Sequence, residues 1–197
     1  TFIVETTDAA WQAAGIAKMS QEDGVAFCEK LFAPWLDGEK LISNATHLRG
    51  SAIWIRFPRV ICDKWVQWTR PQGEAGAEVP VVLMGDAAHT AHFSIGSGTK
   101  LALEDAIELS RMLKQEGSLR AGLQRYEAVR GVEVLKIQNA ARNSTEWFEN
   151  IARYEDLEPE QFAYSLLTRS QRISHENLRL RDPQWLEGYE RWLAKRA

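Results

Sequence analysis

The alternation of apolar and polar positions near the start of the chain predicts one strand followed by two helices. Residues 1–7 alternate side chains in the period of a strand. Asp8 can cap a short helix behind them. Ser20, with Asp23 three positions later, forms a weaker version of a capping box, so a second helix is predicted to end near Leu36.

A second period-two pattern begins at Ser51 and predicts antiparallel strands as far as Trp68, interrupted at Pro58. A loop rich in Gly, Pro and Glu follows. The short apolar run 81–84 is different, because four consecutive apolar residues are typical of a strand buried on both faces, as in a parallel sheet. The fold is therefore predicted to be an α+β or α/β fragment that joins the end of an antiparallel sheet to one returning strand of a Rossmann-like domain.

The remaining residues have a helical pattern. One helix is predicted from about Gly98 to Gly117, and a long one extends from there to about Asn150. Pro159 and Pro183 can each begin a further helix. The helix predicted from about Gly98 is expected to bury a stripe formed by Ala102, Ala106, Leu109 and Leu113.

Composition excludes several classes of protein. Of 197 residues, 45% are hydrophobic and 26% charged, which is normal for a soluble globular chain and excludes disorder as the main state. The net charge of -3 excludes the basic surface of a nucleic-acid binder, and no apolar run is long enough for a bilayer. Two cysteines favour a reducing cytoplasm. A first residue Thr1 inside a strand-like run indicates a piece of a longer protein.

The segment 81–109 carries the chemistry. A buried strand would deliver Gly85 and Asp86 to the carboxyl edge of a sheet, where α/β proteins bind ligands. The glycine permits close backbone approach, and the carboxylate can accept hydrogen bonds from ligand hydroxyls. The loop 94–98 then leads into a helix N-terminus, whose free amides and positive dipole end favour a phosphate or a developing anion.

This segment resembles the second flavin-binding motif of the FAD-dependent aromatic monooxygenases of the para-hydroxybenzoate hydroxylase type. Phe93 is the departure, since that family usually has Pro there, which leaves the contour of the flavin-facing wall open. The segment is most similar to the branch that hydroxylates aromatic acyl-CoA thioesters, such as salicylyl-CoA and 2-aminobenzoyl-CoA. The positions in register are Gly85, Asp86, Ala87, Ala88, His89, Gly96, Gly98, Asp105 and Ala106.

The resemblance implies roles for individual residues. Asp86 would bond the ribityl chain of FAD, and the backbone amides from Gly96 to Thr99 would face the flavin ring and stabilise the negative charge of the reduced state. NAD(P)H would be the reductant and O2 the oxidant. The implied cofactor contacts are Gly85, Asp86, Gly96, Ser97, Gly98 and Thr99. The residues implied between flavin and substrate are His92, Phe93 and Ser94.

The family's N-terminal Gly-x-Gly-x-x-Gly turn, which holds the ADP part of FAD, has no counterpart in this chain. The chain is therefore predicted to be a C-terminal portion. Residues 1–78 would be part of a substrate-binding domain, 79–117 a returning segment of the FAD domain, and 118–197 a helical region. Its partners would be the missing N-terminal part and a small aromatic or acyl-CoA substrate. Nucleic acid and membrane are excluded, and a homodimer is left open. Alone, the fragment is expected to be inactive and to hold FAD weakly.

Several residues have two interpretations. His89 and His92 could pair on a metal, but no third ligand has suitable spacing, so no metal site is predicted. Glu104 and Asp105 are interpreted as compensation of the helix dipole, because adjacent helix positions do not share a face. CoA phosphates or plain solvation could explain Arg56, Arg59, Lys64 and Arg70. A substrate wall or sheet packing could explain Trp54, Trp65 and Trp68.

Two rival functions remain. One is a non-catalytic flavin-fold remnant whose helices serve docking. The other is a flavin-dependent reductase, which would reduce a double bond and incorporate no oxygen from O2.

Overall fold

Helices dominate the part of the chain that is described by the computed structural model, residues 2–42, 54–70 and 76–196. The described residues contain one sheet, of two antiparallel strands. They divide into two compact units, Thr1–Phe57 and Pro58–Ala197. This agrees with the predicted α+β character. The Rossmann-like detail and the functional divisions at 78 and 117 stay predictions.

The first unit contains α1 (Asp8–Ala13), α2 (Gln21–Leu31) and α3 (Ala33–Leu36). The predicted capping box is present, since Ser20 accepts from the Asp23 amide and the Asp23 carboxylate accepts from the Ser20 amide. The predicted second helix is thus confirmed, but it is divided between α2 and α3.

The strand predicted at residues 1–7 is wrong for the described residues 2–7, which are extended but belong to no strand. Alternation alone does not make a strand when no neighbouring segment supplies the ladder of hydrogen bonds. The cap of α1 also differs, because Thr7, not Asp8, accepts from the Ala10 amide.

The sheet of the second unit pairs β1 (Val66–Thr69) with β2 (Val79–Val82). Residues 51–53 of the predicted strand lie outside the described residues. The prediction that the second strand is buried on both faces is wrong here, because Val79 and Val81 are 44% and 49% exposed. The described residues supply β2 with a single antiparallel neighbour and cover one face, so the other face is open.

The core of the second unit lies where α4 (Gly98–Gln115) and α5 (Leu119–Glu149) pack together beside the sheet. Gly122 allows the close approach, since a Cβ there would lie 3.1 Å from the Met112 carbonyl oxygen. Both helices agree with their predicted limits. The buried cluster consists of Trp65, Ala88, Leu101, Met112, Tyr126 and Val134.

The predicted stripe of α4 is confirmed at Leu109, which packs against the buried cluster, and is wrong at Ala106 and Leu113. Ala106 is exposed and Leu113 is 41% exposed, whereas Leu101, Asp105 and Met112 are buried. Ion pairing allows a carboxylate, Asp105, to be the most deeply buried residue of the helix.

Three further helices follow: α6 (Pro159–Thr168), α7 (His175–Arg181) and α8 (Pro183–Ala194). The predicted helices beginning at the two prolines are confirmed, while α7 was not predicted. Tyr164 of α6 stacks on Tyr189 of α8 with ring centroids 4.4 Å apart. None of the described helices has the length and apolar character required to cross a membrane.

Candidate functional site

The strand β2 leads through Met84 into a single 3-10 turn at Gly85–Ala87 that presents Asp86 to solvent. Gly85 is buried and has a φ of 57°, a conformation that L side chains rarely adopt. A Cβ at this position would lie 3.2 Å from the Cβ of Ala102. The close approach of Gly85 is thus to helix α4, and its predicted contact with a cofactor stays a prediction.

A buried carboxylate holds this turn on helix α4. The Gly85 amide donates to Oδ2 of Asp105 at 2.8 Å, and His89 Nε2 lies 2.7 Å from the same oxygen. Arg130 of α5 donates from Nε to Oδ1 at 2.8 Å. The exposed Asp86 therefore lies in a segment that Asp105 holds at both ends, through Gly85 before it and His89 after it.

The electrostatics of this cluster favour the ionised carboxylate. Burial by itself would raise the pKa of Asp105, but hydrogen bonds from His89, Arg130 and the Gly85 amide outweigh it, so the pKa lies below its ordinary value. Because Asp105 accepts from His89, the Nε2 atom of the imidazole carries a proton. The interpretation of Asp105 as dipole compensation is wrong, since it lies beyond the first turn of α4 and serves three partners.

Aromatic residues enclose the other side of His89. Its ring lies 5.0 Å from the Trp65 ring, which in turn lies 5.9 Å from that of Tyr126. Tyr126 donates its hydroxyl to the Leu83 carbonyl at 3.1 Å, and burial raises the pKa of that hydroxyl. His89 is thus a structural part of the turn, and Trp65 is a packing residue.

The loop after the turn contains the residues predicted to line the reacting space. A 3-10 turn spans Phe93–Ile95, and His92 caps it by accepting from the Ser94 amide through Nδ1 at 3.3 Å. The His92 and Phe93 rings lie 4.3 Å apart. Gly96 ends the turn with a φ of 60°. The three predicted residues are thus brought together on one short turn, and their catalytic roles stay predictions.

The N-terminus of α4 follows directly. The Gly96 amide donates to the Phe93 carbonyl at 2.8 Å, so the predicted set of anion-facing amides loses this member to the turn. The described residues provide no acceptor for the amides of Ser97, Gly98 and Thr99, and the Ser97 side chain does not cap the helix. Of the four amides predicted to face the flavin ring, those of Ser97, Gly98 and Thr99 are therefore available to a ligand.

The space around Gly98 shows whether a ligand could approach the N-terminus of α4. A Cβ on Gly98 would meet nothing within 4 Å, and the backbone there has no positive φ. No feature of the described chain therefore requires glycine at this position, whereas close approach of a flat ring would. Together with the open amides and the exposed carboxylate of Asp86, this donor set fits a flavin.

The other candidates lie elsewhere. Arg56 pairs with Asp8 at 2.8 Å, and both side chains are exposed. Arg70 lies 4.0 Å from Glu78, and Arg120 covers the Trp68 ring at 4.0 Å. These exposed pairings fit the interpretation of a solvated surface. Among the described residues, no group of three His, Cys, Asp or Glu side chains could hold a metal.

Sequence reasoning missed two polar residues of α5 that support the site. Arg130 binds Asp105, and Gln138 donates to the carbonyls of Val60 and Thr90, at 3.0 Å each. The apolar stripe of α5 contained the signal, because Arg130 follows Tyr126 by four residues and is flanked on the other side by Val134. A polar residue inside an apolar stripe indicates a buried partner.

Comparison with known proteins supports the resemblance of this chain to aromatic monooxygenases. No protein-family model matches the chain. Salicyloyl-CoA 5-hydroxylase of Streptomyces sp is 36% identical over 98% of the chain and 36% of the relative. The 3-hydroxy-4-methyl-anthranilyl-[aryl-carrier protein] 5-monooxygenase of Streptosporangium sibiricum is 38% identical over 75% of the chain and 36% of the relative. Protodeoxyviolaceinate monooxygenase of Chromobacterium violaceum is 30% identical over 86% of the chain and 41% of the relative.

These relatives share an activity class. All three are named as monooxygenases or hydroxylases, and the chain spans 36% to 41% of their length. The similarity covers most of the chain and includes the segment with the motif. By this relationship the chain is similar, over most of its length, to enzymes named as aromatic hydroxylases and monooxygenases.

Proposed function

We propose that the complete protein containing this chain is an FAD- and NAD(P)H-dependent hydroxylase of an aromatic ring, and that this chain supplies one wall of the flavin site. One observation carries the proposal. Asp105 holds the Asp86 turn against the helix whose first amides, at Ser97, Gly98 and Thr99, have no acceptor in the described chain. A carboxylate for hydroxyls and a cradle for negative charge are thus fixed to the same helix.

Bound FAD would supply the redox chemistry, taking a hydride from the nicotinamide and activating O2 for transfer of one oxygen atom. Asp86 would accept hydrogen bonds from sugar-alcohol hydroxyls. The amides at the start of α4, reinforced by the helix dipole, would stabilise negative charge on the ring edge. Removing one such donor in other enzymes costs about 3 kcal/mol of transition-state stabilisation.

The loop that precedes α4 would form the substrate side. Phe93 is 38% exposed and its ring lies beside that of His92 at an angle of 31°, so the two rings offer a surface against which an aromatic ring can lie. In this arrangement His92, Phe93 and Ser94 orient the substrate and exclude water from the reacting atoms.

Two relatives support a substrate class for this proposal. Their names place the aryl group on coenzyme A or on a carrier protein. We therefore extend the proposal to an aryl thioester in place of a free acid. The test compares salicyloyl-CoA with free salicylate, and faster NADPH oxidation with the thioester is the expected result.

The decisive experiment uses the complete protein, FAD, NADPH and 18O2. The expected result is a yellow protein that yields a hydroxylated aromatic product carrying one 18O atom. A yellow protein that consumes NADPH and yields a reduced product without label would instead be a reductase. A complete protein that never binds flavin would support the docking remnant and refute the proposal.

A further inference from the structure

Arg169, at the end of α6, reaches across the second unit to the loop that precedes α4. Its Nη2 atom donates to the carbonyl oxygen of Ser94 at 2.9 Å, although the two residues are 75 positions apart. The same guanidinium donates from Nε to the hydroxyl of Ser144 at 2.9 Å and from Nη1 to the carbonyl of Leu166 at 2.7 Å. One side chain thus joins α5, the end of α6 and the loop.

The surroundings of the guanidinium fix its direction. Ser144 is fully buried on α5, and the Phe148 ring lies 5.1 Å from the guanidinium carbon of Arg169. A planar cation with acceptors on three sides and a ring against it has few alternative positions. The donor that faces Ser94 is therefore preorganised by the helices before the loop meets it.

The hydrogen bond from Arg169 is the main long-range contact that holds the backbone of Ser94 in the described chain. Within the described part of the chain, the one hydrogen bond that Ser94 receives from beyond its own loop is the one from Arg169. Its hydroxyl oxygen is buried and has no partner among the described residues. The carbonyl bond therefore sets the orientation of the peptide between Ser94 and Ile95, two residues before the open amides of α4.

We infer that Arg169 is a positioning residue of the proposed hydroxylase, through which the C-terminal helices hold the substrate-facing loop in place. It touches neither Asp86 nor the amides of α4, so it acts on the loop and not on cofactor affinity. This inference rests on the proposed function for its consequence in catalysis, but the anchoring itself can be measured without flavin.

The test substitutes Arg169→Met and Arg169→Lys in the complete protein, with Arg153→Met as the matched control. Arg153 is an exposed arginine that lines, together with Arg169, a cavity of about 270 Å³ beside the C-terminal end of α5. Lysine keeps the positive charge but cannot donate to three acceptors in one plane. The Arg169→Lys variant therefore still tests the anchoring if Arg169→Met does not fold.

The first readout is amide hydrogen exchange. Loss of a charge-assisted hydrogen bond should raise the exchange rate of the hydrogen-bonded amides of residues 94–96 by about tenfold or more, with residues 119–141 unchanged. Unchanged exchange in 94–96 in both Arg169 variants, or equal acceleration in the Arg153 control, would overturn the inference.

The second readout separates loop positioning from folding. The affinity for FAD should stay within about threefold of wild type, while the fraction of NADPH oxidation that yields hydroxylated product falls severalfold. A parallel loss of FAD affinity and coupling would indicate general damage and contradict a positioning role. Absence of flavin from the wild-type protein would refute the proposed function, and the exchange experiment would still decide the anchoring role of Arg169.

Discussion

His89 Nε2 lies 2.7 Å from Asp105 Oδ2, and the two side chains are 3% and 0% exposed. The Gly85 amide donates to the same oxygen, so both ends of the turn that presents Asp86 bind one carboxylate. Arg130 balances the charge from the opposite side. The exposed residue proposed to bind the cofactor therefore owes its position to a buried residue that would never touch it.

The first prediction concerns Asp105→Asn. The amide of asparagine must place an NH2 group against either Arg130 or the donors of the turn, and Arg130 loses its buried counter-ion and keeps only the partly exposed Glu104, at 3.4 Å. Breaking a buried charge pair from one side should lower the free energy of unfolding by about 3–5 kcal/mol. Urea denaturation measures it. The control is Glu133→Gln, an exposed carboxylate paired with Lys136, for which a loss below about 1 kcal/mol is expected. Similar losses in the two variants would contradict a special role for the cluster.

The second prediction is the pH dependence of the same contribution. The folded-state pKa of Asp105 is depressed, so its stabilisation is complete above the unfolded pKa of about 3.9 and is lost as the pH falls through the lower folded value. The difference in unfolding free energy between wild type and Asp105→Asn should hold near neutral pH and shrink below about pH 4.

His89 and Glu104 are the other ionisable side chains that contact this cluster in the described part of the chain, besides Arg130. The series is therefore repeated in His89→Gln, whose amide keeps a donor but does not titrate. The fall in the Asp105 contribution to the free energy of unfolding below about pH 4 should persist in the His89→Gln variant. A loss that disappears with His89 would assign the pH dependence to the imidazole instead.

The third prediction separates stability from ligand binding at Asp86. This carboxylate is exposed and makes no hydrogen bond within the described chain, so Asp86→Asn should change the unfolding free energy by less than about 0.5 kcal/mol. In the complete protein it should weaken FAD binding by about tenfold or more, as expected for a hydrogen bond to a charged group. Fluorescence titration with FAD measures the second effect. Asp63→Asn, another exposed aspartate, should change neither quantity.

The fourth prediction uses two helical glycines. A methyl group meets nothing within 4 Å at Gly98 or at Gly131. Alanine should therefore stabilise both helices, by up to about 1 kcal/mol at Gly131 and by less at the end of α4. Only Gly98→Ala should impair FAD binding, because its methyl would occupy the space assigned to the ring. Equal affinity of the two variants would refute the placement of flavin at this helix end.

Local signals predicted much of the helical structure. Ser20 with Asp23, Pro159 and Pro183 each mark a helix start by the chemistry of nearby residues, and the structure confirms all three. Such signals depend on the backbone within one turn, so they need no knowledge of the rest of the fold.

Long-range features were not predictable in the same way. The apolar pattern does not identify Asp105 as buried, because a pattern of residue types cannot show that Arg130 and His89 lie opposite it. The run 81–84 is typical of a strand in a parallel sheet, but a run of apolar residues does not identify the pairing partner. The contact between Arg169 and Ser94 joins segments with no shared motif.

The Asp105 cluster closes loops of only 16, 20 and 25 residues, whereas the bond from Arg169 to Ser94 spans 75. Because closure entropy grows with the logarithm of loop length, the longer span costs about 1 kcal/mol more in chain disorder. The Asp105 cluster is therefore expected to form earlier during folding than the bond from Arg169, which needs the distant helix. The two supports of the segment from Gly85 to Gly98 are then expected to differ in when they form and in how easily they open.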